Sequence, residues 1–238
     1  MTLPLFAHHL ATTSLGAFMR RLFKFLAAVF LLLVTAALMY GVVGYFNALS
    51  DADELALRAD ALVAERHGGK DLGDDRLETL LLVQDPAFHS HAGLDFTTPG
   101  AGVTTVTQSL AKRVAFRKFK PGIGKIRQTG YALGLERKLT KDQIIALWLD
   151  TLEMGRGPDG WMTGFFVASQ AIYLRPPAEL TDREFLSLVA VLIAPGTYDL
   201  GRTDTQLEGR IARIEKLVSG ACTPTDNGDV WLEGCRRN

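Results

Sequence analysis

Lysine and arginine residues are concentrated in one stretch of the chain, between Leu110 and Thr140. Phe116 and Phe119 are interleaved with them, and a single acid, Glu136, opposes them. Such a mixture can lie against anionic headgroups or hold a phosphorylated lipid. The alternative is an ordinary solvated basic face. The cations of this stretch are Lys112, Arg113, Arg117, Lys118, Lys120, Lys125, Arg127, Arg137 and Lys138.

Groups that could accept a proton lie in a second stretch, which reads QDPAFHSHAGLD from Gln84 to Asp95. Asp85 supplies a carboxylate, and His89 and His91 supply imidazoles that titrate near about pH 6.5 when unperturbed. The amide of Gln84 cannot accept a proton near neutral pH. General-base catalysis in this stretch would therefore depend on the aspartate or on a histidine.

Helices must position both stretches, because apolar residues recur at helical spacing and no strand-like alternation competes with them. Capping boxes mark three of the helix starts: Thr140 with Gln143, Thr181 with Glu184, and Thr203 with Gln206. We therefore predict an all-α fold. The predicted helices cover roughly residues 50–66, 75–85, 104–116, 124–138, 141–153, 162–174, 182–194 and 204–219.

An uncharged run from Phe25 to Phe46 is long enough, as a helix, to cross a bilayer core of roughly 30 Å. Arg20, Arg21 and Lys24 precede the run, so the positive-inside rule predicts a cytoplasmic N-terminus and an outward-facing remainder. A cleaved signal peptide is the alternative. We predict a cytoplasmic segment 1–24, a transmembrane helix 25–46, a folded domain 50–220 and a C-terminal tail 221–238.

Length and charge restrict the class of protein further. The 238 residues allow one or two folded units, and the 26 basic residues balance the 26 acidic ones. The zero net charge argues against a protein that recruits nucleic acid through a global positive field. Cys222 and Cys235 are the two cysteines, and in an oxidising compartment they could close a small loop or remain free thiols.

Five segments, in order, resemble the motifs of the peptidoglycan glycosyltransferases of glycosyltransferase family 51. This family includes domains of class A penicillin-binding proteins and the monofunctional biosynthetic transglycosylases. The first motif is QDPAFHSHAGLD, in which Asp85, Phe88 and His91 are in register and Gln84 stands where the family has a glutamate.

The other four motifs follow at the family's spacing. The second reads GVTTVTQSLAKR and departs from the family at Ser109 and Arg113. The third reads GKIRQTGYALGLE and has Gln128 where the family has a second glutamate. The fourth is TKDQIIALWLD, and the fifth runs from LTDRE to Tyr198. The resemblance covers about residues 80–199.

The resemblance implies a lysozyme-like all-α fold with a membrane-associated jaw beside the cleft. It implies a periplasmic domain on the bacterial inner membrane, with lipid II or a glycan strand as ligand and cell-wall synthesis proteins as candidate partners. No nucleic acid is expected. A divalent cation such as Mg²⁺ or Mn²⁺ is expected only if the domain is active, and no other cofactor is expected.

Site residues follow from the same resemblance. Gln84 and Gln128 occupy the positions of the family's glutamates, of which the first is the general base, and Asp85 and His91 lie beside the first. The retained residues expected to contact substrate are Phe88, Thr105, Gln108, Lys112, Lys125 and Arg127.

The two glutamines lead to competing hypotheses about activity. Glutamine keeps nearly the shape of glutamate, but it cannot act as a base and is a poor ligand for a hard cation. We therefore expect a domain that binds lipid II or nascent glycan with strongly reduced or lost polymerase activity. The rival hypothesis is an active polymerase that uses Asp85, His89 or His91 as a substitute base. A glycan-cleaving enzyme would require a catalytic acid where the sequence has glutamine.

Overall fold

The computed structural model describes the chain from Ala7 to Arg236, with side chains from Phe18 onward. Residues 1–6 of the predicted cytoplasmic segment and residues 237–238 of the predicted tail lie outside the described part. The α-helices are α1 (Ala7–Ala64), α2 (Arg76–Gln84), α3 (Val106–Val114), α4 (Gly124–Lys138), α5 (Lys141–Thr151), α6 (Phe165–Tyr173), α7 (Asp182–Val191) and α8 (Thr205–Val218). The strands are β1 (Glu153–Gly157) and β2 (Gly160–Thr163), and short 3₁₀ turns span Gly69–Leu72, Pro177–Glu179 and Glu233–Cys235.

The predicted all-α fold is confirmed, with one small exception. β1 and β2 form an antiparallel hairpin, where the sequence pattern had suggested the end of one helix and the start of the next. A Gly-Pro-Asp-Gly run from Gly157 to Gly160 connects the two strands. Because proline and glycine favour tight turns, this run is the sequence signal that could have predicted the hairpin.

The N-terminal helix α1 is longer than predicted. A separate helix over 50–66 was expected after the apolar run, but one unbroken helix extends to Ala64 and ends before the predicted break at Gly68 and Gly69. No glycine pair or proline interrupts the sequence between the two parts, so the backbone hydrogen bonds continue. The segment is long and apolar enough to cross a membrane.

Helix α4 packs tightly along the end of the apolar part of α1. A Cβ atom at Gly130 would lie 1.9 Å from the carbonyl oxygen of Gly41, so only glycine permits this approach. Small residues in this arrangement allow two helix backbones to come close, as in membrane helix pairs. One turn beyond the apolar run, the buried Tyr131 hydroxyl donates to Asp51 of α1 at 2.7 Å. Burial and this hydrogen bond raise the pKa of Tyr131.

Helix α5 forms the centre of the core. Its residues from Ile144 to Leu149 are all buried, which explains why its sequence is apolar on every side. The predicted capping boxes of Thr140 and Thr181 are confirmed at the starts of α5 and α7. The third predicted box is wrong, because the N-cap of α8 is Asp204, whose carboxylate accepts from the N–H groups of Gln206 and Leu207.

The tail after α8 folds back onto the domain. Cys222 and Cys235 form a disulfide, which decides between the two alternatives that the sequence had left open. Cys235 is fully buried in the core, together with Leu232.

Candidate functional site

The beginning of helix α3 organises the region that contains most of the predicted site residues. Asp85 follows the last residue of α2, and its side chain is fully buried. One carboxylate oxygen accepts the N–H of Val106 at 2.8 Å, in the first turn of α3. The other oxygen lies 2.9 Å from Nε2 of His91. Asp85 thus joins the α2 end, the histidine and the α3 start.

His91 is held at both ring nitrogens. Its Nδ1 accepts the N–H of Gly93 at 3.0 Å, so the proton of the neutral ring lies on Nε2 and points at Asp85. The imidazole therefore has no free lone pair for a substrate proton in this arrangement. Asp85 and His91 thus form a buried hydrogen-bonded pair. The Asp85 carboxylate and both ring nitrogens of His91 already have partners within the protein.

Thr105 and Gln108, both predicted substrate contacts, form the N-terminal cap of α3. The Thr105 hydroxyl accepts the N–H of Gln108 at 3.1 Å, and the Gln108 amide oxygen accepts the N–H of Thr105 at 3.3 Å. Both residues are buried, and the Gln108 amide nitrogen donates to Thr129 of α4. The pattern Thr-x-x-Gln predicts such a capping box, a signal that the interpretation by family resemblance overlooked.

Gln128 lies between α3 and α4 with about 1% of its surface exposed. Its amide nitrogen donates to the carbonyl oxygen of Gln108 at 2.6 Å. Its amide oxygen is buried and lacks a hydrogen-bond partner among the described residues. A carboxylate in this orientation would place one of its oxygens against the carbonyl oxygen of Gln108, so this position favours the amide.

Gln84 and His89 are more accessible than the buried Asp85 and Phe88. Gln84 is half-buried at the end of α2, and its side chain has no hydrogen-bond partner in the described part of the chain. His89 is about half exposed, and its Nε2 lies 3.6 Å from a carboxylate oxygen of Glu78 on α2. Its ring also packs edge-on against Phe88.

Lys112, Lys125 and Arg127 lie together on one surface, which we call the cation face. The Lys125 ammonium donates to the Thr104 hydroxyl at 2.8 Å. Burial, and then the positive charge of Lys112, lower the pKa of Lys125. Arg127 and Lys112 lie over the rings of Phe116 and Phe119, which contact each other edge to face. Because the charge of Lys112 disfavours the charged form of its neighbour Lys125, an anionic ligand placed between the two would be favoured.

A cleft of about 620 Å³ adjoins the cation face and is lined by Lys112, Arg113, Phe119 and Glu153, among others. Arg113 donates to the Ser109 hydroxyl at 2.7 Å and to its carbonyl oxygen at 3.1 Å. The two departures from the second motif therefore contact each other. Burial lowers the pKa of Arg113 to about 10, an effect that Glu153 opposes, so its guanidinium stays charged at neutral pH.

Phe88 is the predicted substrate contact that lies farthest from solvent. Its ring is fully buried, and the Lys141 ammonium lies 4.2 Å from the ring centroid. Lys141 also binds Glu136 and the carbonyl oxygen of His91. A ligand would reach Phe88 only if these covering groups moved, and its substrate contact stays a prediction.

No group of three or more histidine, cysteine, aspartate or glutamate side chains that could hold a metal ion occurs within residues 18–236. The divalent cation expected for an active domain stays a prediction.

Comparisons with known proteins show which family this chain resembles. The sequence model of the transglycosylase family matches residues 69–218. The chain is 28% identical over 233 residues to a biosynthetic peptidoglycan transglycosylase of Alcanivorax borkumensis, covering 90% of this chain and 93% of the relative. It is 28% identical over 147 residues to the protein of the same name from Marinomonas, covering 57% and 64% of the two chains.

A longer relative is penicillin-binding protein 1F of Bacillus subtilis, which is 29% identical over 134 residues, or 51% of this chain. The match spans 18% of that protein, and it is similarly short, at 18%, in penicillin-binding protein 1B of Buchnera aphidicola. The chain therefore corresponds to a small part of these penicillin-binding proteins.

Proposed function

The chain belongs to the transglycosylase family, and from this premise we propose that its folded domain binds lipid II or nascent glycan, with polymerase activity strongly reduced or lost. The observation that carries the binding half of the proposal is the cation face. Lys112 lies close enough to Lys125 to lower the pKa of its ammonium group, and Lys112 also lines a cleft of about 620 Å³. A diphosphate carries the compensating charge and enough oxygen acceptors to satisfy both ammonium groups.

The chemistry of glycan polymerisation supports the second half of the proposal. The acceptor hydroxyl must lose a proton as it attacks the donor's anomeric carbon, so a base is required. Gln84 is an amide, Asp85 is fully buried, and both ring nitrogens of His91 are engaged. A general base typically contributes about 10²–10⁴-fold to a rate, so we expect at most slow turnover.

The anchor agrees with a ligand that resides in a membrane. We propose that α1 crosses the bacterial inner membrane with its N-terminus in the cytoplasm, which leaves the domain in the periplasm. The basic residues before the apolar run and the disulfide between Cys222 and Cys235 support this orientation, because disulfides persist in oxidising compartments.

The rival proposal is an active polymerase with a substitute base. Exposure favours His89 among the candidates, because about half of its side chain is exposed, whereas Asp85 and His91 are nearly or fully buried. The rival predicts glycan chains from the natural sequence and their loss in His89→Ala.

Binding is tested by titrating the full chain in nanodiscs with lipid II and following the fraction bound. We expect Lys112→Ala/Lys125→Ala to weaken binding by at least about 10-fold, since each lost charge-assisted hydrogen bond costs about 1.5–3 kcal/mol. Arg137→Ala/Lys138→Ala is the matched control, because it also removes two positive charges, here from exposed positions at the end of α4. Equal affinities for all three proteins, or no binding by the natural sequence, would contradict the binding proposal.

Activity is tested by polymerisation of labelled lipid II in the presence of divalent metal. We expect no chains from the natural sequence and chains from Gln84→Glu or from Gln84→Glu/Gln128→Glu. Chain formation by the natural sequence as fast as by the glutamate variants would establish the rival instead. Silence from every variant, together with intact binding, would indicate a domain that holds its ligand but lacks more of the machinery than one base.

A further inference from the structure

The disulfide-closed tail holds the segment that leads into α3. This segment, residues 95–104, is called here the approach loop. The N–H groups of Gly100 and Gly102 donate to the carbonyl oxygens of Asp226 and Asn227, at 2.9 and 2.7 Å. In return, the Asn227 amide nitrogen donates to the carbonyl oxygen of Thr98 at 2.9 Å. Tail and loop thus pair through hydrogen bonds in both directions.

The pairing is close enough to demand glycine in the loop. A Cβ atom at Gly102, whose φ is 69°, would lie 2.6 Å from Cγ1 of Val230. A Cβ atom at Gly100 would lie 2.7 Å from Cγ of Pro224. The two segments therefore pack closely, and a side chain at either glycine would disturb the contact.

The tail is itself folded around one carboxylate. Asp229 accepts the N–H groups of Thr225, Glu233 and Gly234, at 3.0, 2.6 and 3.0 Å. Partial burial opposes its ionisation, but these hydrogen bonds outweigh burial and keep the pKa of Asp229 below its ordinary value. The disulfide closes this folded loop at Cys222 and Cys235.

The far end of the approach loop belongs to the cation face. Thr104 accepts from Lys125, and Thr105 caps α3 while its hydroxyl donates to the carbonyl oxygen of Gly93 at 2.7 Å. Gly102 is two residues from Thr104, so a displacement of Gly102 would also shift Thr104. The orientation of the Lys125 ammonium is therefore mechanically connected to the tail.

We propose that residues 222–235 act as a clamp that positions the approach loop and, through it, the anion-binding cation face, so that ligand affinity depends on the Cys222–Cys235 disulfide. The affinity part of the proposal rests on the proposed function. Because the disulfide forms only under oxidising conditions, the clamp would complete the binding face after export and leave it loose in a reducing cytoplasm. Asn227 is a positioning residue in this scheme, acting on the ligand through the approach loop.

The clamp is tested by hydrogen exchange of the full chain in nanodiscs, comparing the natural sequence with Cys222→Ser/Cys235→Ser and with Asn227→Ala. We expect the amides of Gly100 and Gly102 to exchange at least about 10-fold faster without the disulfide, and a few-fold faster without the Asn227 side chain. Amides of α5 should not change. Arg236→Ala is the matched control, because it alters an exposed tail side chain that, among the described residues, forms an ion pair with Glu233 and not with the approach loop.

Lipid II affinity is measured on the same proteins and should fall at least about 5-fold in the double serine variant and less in Asn227→Ala. Unchanged exchange at Gly100 and Gly102 in both variants would overturn the clamp. Faster exchange with unchanged affinity would overturn its positioning role. If the amides of α5 also exchange faster in the serine variant, loss of the disulfide has loosened the whole domain. The exchange rates of Gly100 and Gly102 in Asn227→Ala then decide whether the clamp exists. If the natural sequence binds no lipid II, the proposed function fails, whereas the exchange data still judge the clamp.

Discussion

The side chain of Gln128 illustrates how one residue can agree with a family motif in position and differ in its role. Its amide nitrogen is a donor to the Gln108 carbonyl oxygen between two packed helices. A glutamate has no proton to donate there at neutral pH. The residue therefore contributes to α3–α4 packing here, and a carboxylate at the same position would have to turn away or become protonated.

We expect Gln128→Glu to lower the free energy of unfolding by about 1–3 kcal/mol at pH 8, the usual cost of an unsatisfied buried polar group. Burial next to a carbonyl oxygen raises the pKa of the introduced carboxyl in the folded state. The deficit should therefore be smallest below about pH 4 and grow as the pH rises through that raised pKa. Denaturant unfolding at several pH values measures it.

Gln84→Glu is the control for that experiment. Its side chain is half-buried and has no hydrogen-bond partner in the described part of the chain, so a carboxylate there can be hydrated. We expect a change below about 0.5 kcal/mol. Equal stability of both variants at every pH would mean that the Gln128 side chain can leave the α3–α4 contact at no cost.

At the scale of elements, the backbones of α1 and α4 approach each other closely at their glycines. Gly130 lies against the backbone of Gly41, and the next turn of α4 places Gly134 against Tyr45 and Ala48. The sequence of α4 contains this small-residue spacing within the segment of the third motif, GKIRQTGYALGLE. Its physical role is to bring α4 against the anchor helix.

Gly130→Ala should separate the two helices, because the added methyl group meets a carbonyl oxygen and not a movable side chain. We expect a loss of about 1–3 kcal/mol, as for other overpacked sites. Gly209→Ala is the matched control in α8, where an added Cβ has no neighbour within 4 Å. That variant should gain up to about 1 kcal/mol from helix propensity. Thermal unfolding in detergent compares the two, and similar losses in both would contradict the close-contact argument.

The start of α8 offers a pH-dependent prediction. Burial opposes ionisation of Asp204, but N–H donors from Leu207, Asp199 and Gln206 outweigh it and hold the pKa of Asp204 below its ordinary value. A lowered folded-state pKa means that the stabilisation is present above the unfolded-state value and lost as the pH falls through the folded one. Asp204→Ala should therefore cost about 1 kcal/mol at pH 7 and almost nothing in strong acid. Thr203→Ala should change the free energy of unfolding little. A larger loss in Thr203→Ala than in Asp204→Ala would instead support the capping box that the sequence suggested.

For the whole molecule, the end of the apolar run in α1 lies beside the folded domain and not below it. The residues of α1 from Phe18 to Ala36 are exposed, whereas contacts with the domain begin before the apolar run ends at Phe46. If the run fills the hydrocarbon core, the first turn of α4 lies at the depth of the outer leaflet. The strongly exposed Ile123 stands at that turn, flanked in sequence by Lys120 and Lys125.

We therefore expect a polarity-sensitive dye at Ile123→Cys to report an apolar environment in lipid nanodiscs. Both natural cysteines are paired in the disulfide, so an introduced cysteine can be labelled selectively. The same dye at Ser219→Cys, exposed at the end of α8, is the control and should report water. Lipid-attached quenchers should quench the dye at Ile123→Cys more strongly than the dye at Ser219→Cys. Equal signals from both sites would mean that α4 lies outside the bilayer.

Much of this protein could be read from its sequence. Local patterns determined the helical fold, the apolar anchor and the caps at Thr140 and Thr181, because hydrogen bonds and periodicity within a few residues control these features. The order of the five motifs likewise indicated the family, and the match of residues 69–218 to the transglycosylase family then supported it.

Only the tertiary structure decided what depends on residues far apart in the chain. The pairing of Asn227 with Thr98, the disulfide, and the contact of Gly130 with Gly41 join segments that no local pattern relates. The same holds for Thr105 and Gln128, whose burial and partners depend on how α3 and α4 pack. Residue type limits which bonds a side chain can make, but packing determines which of those partners is within reach.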